Sequence, residues 1–135
     1  MPSRFFAAGA IVFGLVDAAS GQVALNHNDH ITESLVAAKA GDIIRNTCAS
    51  ISARFLVVYQ KMAELEDYAR AQGYTEEEVR VFLKDKAEKA RITAMAESYL
   101  AQAGAMPDDA ESYCQVGRDE IAEGTLVGSL LSSWK

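Results

Sequence analysis

The apolar positions of this chain change character after its first segment. Residues 5–16, FFAAGAIVFGLV, form an unbroken apolar run that follows Arg4 and ends at Asp17, ahead of the small residues Ala18, Ala19 and Ser20. A charged start, an apolar middle and a small-residue end are the three parts of a secretory signal peptide. The run is too short for a membrane-spanning helix, which needs about 20 apolar residues. Residues 1–20 are therefore read as a signal peptide, with cleavage after Ala18 or after Ser20 both compatible with the small-residue pattern. Residues 21–30 show no sustained period and read as a flexible leader. Residues 31–135 are the folded domain, and no later apolar run approaches spanning length.

From Ile31 onward the apolar period is helical. Asn28 or Asp29 can cap a first helix, which carries Ile31, Leu35, Ala38 and Ile43 along one side and fades around residues 45–47. Ser50 or Ser52 can start a second. Its stripe is Phe55, Val58, Tyr59, Met62, Leu65 and Ala69, with Lys61, Glu64, Asp67 and Arg70 opposite and Gly73 as its stop. Thr75 and Glu78 have the spacing of a capping box. The stripe behind it, Val79, Phe82, Leu83, Ala87 and Ala90, points nearly opposite to the next one, Ile92, Met95, Ala96 and Tyr99. One straight helix cannot bury both against a single partner. A break near Lys84 and Asp85 is favoured over a centrally sandwiched helix, with Asp85 and Glu88 as a second capping pair.

Gly104 ends this region, and Pro107, Asp108 and Asp109 open the next helix. That helix carries Ala110, Tyr113, Cys114, Gly117 and Ile121, and Gly117 suits a close helix approach. After Gly124 the tail predicts one short helix through Leu126, Leu130, Leu131 and Trp134. No segment shows sustained strand alternation. The expected fold is all-α: a compact bundle of five or six short helices clipped by one disulfide and preceded by a signal peptide.

The disulfide expectation comes from compartment. Cys48 and Cys114 are the only cysteines, and in an exported small domain a lone pair usually bridges. Such a loop is worth roughly 4 kcal/mol in the chain-entropy picture. A redox pair or a haem attachment would need C-x-x-C or C-x-x-C-H, and neither occurs. Charge narrows function further. With 13 Lys+Arg against 19 Asp+Glu the net charge is −6, which argues against nucleic acid, whose affinity rests on basic phosphate contacts.

Several segments resemble an exported alphaproteobacterial family of the Rhodobacter group, known as domain of unknown function 5333. They are IIRNTCASISARF around Cys48, ARAQGYTEEEV, DKAEKARITAMAESYL, and CQVGRDEIAEGTLVGSLL from Cys114. The resemblance spans about residues 31–131. It implies an exported, helical, Cys-paired domain and brings no catalytic residues. The HNDH leader lies outside the family's pattern.

Candidate chemistry is sparse. His27, Asp29 and His30 are the one plausible metal-ligand cluster, although solvated histidines beside a helix cap explain them as well. Arg45, Arg54 and Arg118 would converge near a Cys48–Cys114 bridge, either on helix-end carbonyls or as an anion or partner site. Leu126, Val127, Leu130, Leu131 and Trp134 either close the core or form an interface. No Ser or Cys nucleophile with a base stands out, and no cofactor is expected. The reading is a non-enzymatic periplasmic protein, a protein-interaction or envelope-complex accessory domain with a protein partner in the cell envelope. The alternative is a periplasmic protein that binds a small ligand or a metal ion.

Overall fold

The computed structural model describes residues 23–134. The expected signal peptide, residues 1–20, lies outside the described residues. The chain runs through a 3-10 turn at Leu25–His27, then α1 (Asp29–Thr47), β1 (Ile51–Ala53), α2 (Phe55–Ala71), α3 (Glu76–Lys84), α4 (Lys86–Gln102), α5 (Ala110–Glu123), α6 (Leu126–Ser129) and β2 (Leu131–Ser133). The all-α expectation holds: among the described residues six α-helices are clipped by a Cys48–Cys114 disulfide. No described helix is long and apolar enough to cross a membrane.

Local capping chemistry sets most boundaries. The Asn28 side chain accepts from Ile31 N at 3.1 Å and starts α1. Thr75 and Glu78 make the reciprocal box, with Glu78 N donating to Thr75 Oγ1 at 3.1 Å and Thr75 N to Glu78 Oε2 at 2.9 Å. The helix does break at Asp85, whose carboxylate accepts from Glu88 N at 2.9 Å and opens α4. The Asp109 side chain opens α5, and Gly124 closes it with φ 68°, a left-handed conformation suited to glycine.

α1 is the hub. Ala37, Ala40, Gly41 and Ile44 are buried along it; the small Ala37 and Ala40 let α4 and α5 come close, and Gly41 faces Leu130 and Leu131. The main core joins them to Cys48, Ile51, Ala96, Leu100, Cys114, Val116, Val127 and Leu131. Gly117 of α5 meets β1 and α1 tightly: a Cβ there would lie 2.3 Å from Ile51 Cδ1 and 2.9 Å from Ile44 Cγ2. A second, smaller cluster gathers Ile31, Ala69 and Tyr74, with Leu65, Val79 and Phe82 against it.

Three expectations are corrected. Ser50 and Ser52 do not start the second helix. Residues 51–53 are a strand, and α2 begins after Arg54 with no side-chain cap. The tail is not one helix through Trp134, because α6 stops at Ser129 and Leu131–Ser133 pairs antiparallel with β1, Ile51 opposite Ser133 and Ala53 opposite Leu131. Both errors have one cause: the ribbon joins segments far apart along the chain, Ser52 and Ser132 being 80 residues apart, and its hydrogen bonds outweigh local preference. The leader is also more structured than expected. From Val23 it lies on the domain, where the Tyr74 hydroxyl donates to the Val23 carbonyl at 2.5 Å.

Gly128 is the tightest point. A Cβ there would lie 2.0 Å from the Glu120 carbonyl oxygen, a backbone atom that cannot swing away. Gly117 faces isoleucine side chains, which can give. Gly117→Ala should cost about 1–3 kcal/mol by overpacking, and Gly128→Ala more. Thermal unfolding followed by circular dichroism checks the order; equal losses would contradict this account of the α5–α6 joint.

Candidate functional site

The α2 helix carries the most exposed apolar surface. Its first residues, FLVVY, are apolar all round the helix, more than one face can bury. Phe55 is 68% exposed, Leu56 80% and Tyr59 76%. Burial deepens along the predicted stripe, through half-buried Val58, Met62 and Leu65 to buried Ala69. Only the C-terminal half of α2 is thus packed down, and the N-terminal half stands away from α1. Between the two helices run adjoining clefts of about 140 Å³ and about 120 Å³ that share Ala38, Val58 and Leu130. Arg45 borders this face: its guanidinium sits 5.9 Å over the Phe55 ring and pairs with Asp42 at 2.8 Å. The cation–π contact holds the ring at the surface.

The sequence-predicted residues fall in different places. Cys48 and Cys114 are bridged, with Cα atoms 5.2 Å apart. Both are buried, and no free cysteine is present. His27, Asp29 and His30 are not brought together as ligands. Among the described residues no group of three or more His, Cys, Asp or Glu side chains could hold a metal ion. His30 instead lies against Tyr68, ring centroids 4.3 Å apart. The three arginines have separate partners rather than one shared site. Arg45 pairs with Asp42, the Arg54 guanidinium donates at 3.4 Å to Ser129 O at the end of α6, as the helix-end-carbonyl alternative has it, and Arg118 pairs with Glu111 at 2.6 Å. In the tail, Val127, Leu130 and Leu131 are buried, while Leu126 and Trp134 remain exposed. Leu126 also lines the α1–α2 cleft. The α2 face itself was missed as a surface. Leu56, off the stripe beside Phe55 and Tyr59, was the available signal.

One buried charge needs an account. Glu120 on α5 is 5% exposed. The Tyr99 hydroxyl donates to its Oε1 at 2.7 Å, and the Thr125 hydroxyl donates to Oε2. Both carboxylate oxygens are therefore engaged, as a buried carboxylate requires. The cluster ties α4 to the α5–α6 turn, where Thr125 N also donates to the Glu120 carbonyl at 3.2 Å. Burial first, then the bond to Glu120 and its negative charge, push the Tyr99 hydroxyl up to about 12. This is a structural tie rather than a free acid or base.

The chain matches a family of unknown function, DUF5333, over residues 23–132, so the HNDH leader lies inside the matched span and not outside it as expected. No curated protein and no solved structure matches it.

The Tyr99 arrangement has a pH signature. Its folded value exceeds the unfolded value of about 10, so the neutral hydroxyl stabilises the fold. That contribution is complete below pH 10 and is lost as pH rises from 10 to about 12. Tyrosinate absorbance should show one tyrosine ionising last. Glu120→Gln should bring it down toward the others, and Tyr99→Phe should flatten the stability loss over that window. An unchanged titration in Glu120→Gln would refute the assignment.

Proposed function

The chain belongs to this family of unknown function, and we propose that it is an exported, non-enzymatic interaction domain that serves as an accessory of a protein complex in the cell envelope. The observation that carries this reading is the exposed Phe55, Leu56 and Tyr59 face of α2. Contiguous apolar side chains held in water mark protein-contact surfaces in soluble domains, and aromatic residues dominate the energetics of such contacts. Arg45 and the α1–α2 cleft give the face a charged edge and a groove beside it. The disulfide supports an oxidising compartment, and the apolar run of residues 5–16 supports export. With a net charge of −6, a protein partner suits the chain better than an anionic lipid surface.

Two measurements test the reading. The intact mass of protein released from the periplasm should lack residues 1–18 or 1–20 and the two thiol hydrogens; a full-length, reduced cytoplasmic product would refute export. A photo-crosslinking side chain at Leu56 should yield a discrete protein adduct in living cells, whereas one at Glu97 should not. Tyr59→Glu should abolish that adduct and leave the circular dichroism spectrum intact. An adduct that survives Tyr59→Glu, or none at Leu56, would remove α2 as the contact surface.

A further inference from the structure

The surroundings of α3 carry a second surface, independent of the α2 face. α3 is nine residues long and contributes no buried residue. It rests on the smaller cluster through half-buried Val79 and Phe82, and a fixed cap at each end holds it in place. Under it lies an apolar cavity of about 60 Å³, whose lining includes Ile31, Leu35, Leu65, Ala69, Val79 and Phe82. Two larger clefts flank the helix, and both share lining residues with the cavity.

Charge distinguishes the two clefts. On one side, in a cleft of about 300 Å³, Arg70 and Arg80 are already paired, Arg70 with Asp67 and Glu76 and Arg80 with Glu77. On the other side a cleft of about 290 Å³ is lined by Leu35, Phe82, Leu83 and Ile92, with Lys39 from α1 and Lys89 from α4. Neither lysine has an ion-pair partner among the described residues, and Glu88 of the same rim is occupied by Arg91 at 2.8 Å. Two uncompensated ammonium groups therefore border an apolar cleft that continues beneath α3 through Leu35, Phe82 and Leu83. In a chain of net charge −6 this is a local reversal of sign.

We propose that this cleft binds a single-chain amphiphile with an anionic head, a medium-chain fatty carboxylate. The alkyl chain lies along Leu35, Phe82, Leu83 and Ile92 toward the cavity under α3. The carboxylate sits between Lys39 and Lys89, where charge-assisted hydrogen bonds are the strong ones. The volume is at the lower end for a small-molecule site, about 300–1,000 Å³, which favours a medium chain over a long one. α3 is suited to admit it, because an element with no buried residue opens at low cost.

Equilibrium dialysis of the full disulfide-bonded protein against decanoate, decanol and decyltrimethylammonium tests this. Decanoate should bind saturably at one site below its micelle concentration. Decanol and the cationic amphiphile should bind about tenfold more weakly or not at all. The double variant Lys39→Gln, Lys89→Gln should lose about tenfold for decanoate and nothing for decanol. Both lysines reach solvent, so its melting temperature should be unchanged, which separates lost binding from lost fold. Phe82→Ala should weaken decanoate without altering its preference over decanol. Absent saturable binding, or a double variant that binds decanoate as the parent does, overturns the proposal.

Discussion

The Cys48–Cys114 bridge is the constraint on which the rest of the domain depends. It ties the residue just past α1 to the second turn of α5, across 66 residues of chain. Closing a loop of that length removes about 4 kcal/mol of unfolded-state entropy in the chain-entropy account, against the 5–15 kcal/mol typical of a whole domain. Its placement matters as much as its magnitude. With α5 held at the end of α1, Gly117 comes against Ile44 and Ile51, and β1 is fixed beside the core. The C-terminal segment then has a strand to pair with, and its Leu130 and Leu131 are carried inward. Without the bridge the ribbon would be a three-residue pairing with no reason to persist, since an isolated two-stranded ribbon is marginal in water.

A helix hub made of small residues distributes the packing unevenly. Ala37 and Ala40 let α4 and α5 approach α1 closely, and Gly41 faces Leu130 and Leu131 of the tail. α2 and α3 are held instead by the smaller cluster around Ile31, Ala69 and Tyr74. This cluster sits at the far end of α2 from Phe55. The start of α2 is held by the ribbon, by Arg54, whose backbone donates to Leu130 O and whose guanidinium donates to Ser129 O, and by Arg45 over the Phe55 ring. An apolar helix end held this way keeps Phe55, Leu56 and Tyr59 in water.

What the sequence could reveal follows from the range of each interaction. The capping box at Thr75, the break at Asp85 and the stop at Gly124 are written in residues three or four apart, and they were legible. The disulfide was legible through compartment chemistry, since two cysteines in a chain read as exported leave one pairing. The β-ribbon was not, because its two segments are far apart along the chain, the paired Ser52 and Ser132 being 80 residues apart, and neither alternates for long enough to signal a strand. The α2 stripe was legible as a face but its cover was not, since period identifies a face and only tertiary packing decides what covers it. The same limit governs the arginines. Arg45, Arg54 and Arg118 are near the bridge in sequence, but each finds a partner within its own surroundings before the three can meet.

The two surfaces left open by this packing differ in their chemistry. The face of α2 offers aromatic and aliphatic side chains with a guanidinium already neutralised by Asp42, so contact there gains chiefly from removing apolar area from water. The α3 cleft keeps two ammonium groups without counter-ions beside its apolar wall, so an occupant there gains twice, from burying a chain and from supplying the missing negative charge. A neutral apolar helix of a partner would satisfy the first and leave the second's lysines uncompensated. The unpaired lysines are therefore what makes the α3 cleft selective for a small anion with a tail. Their absence from the α2 face leaves that surface to a macromolecular partner.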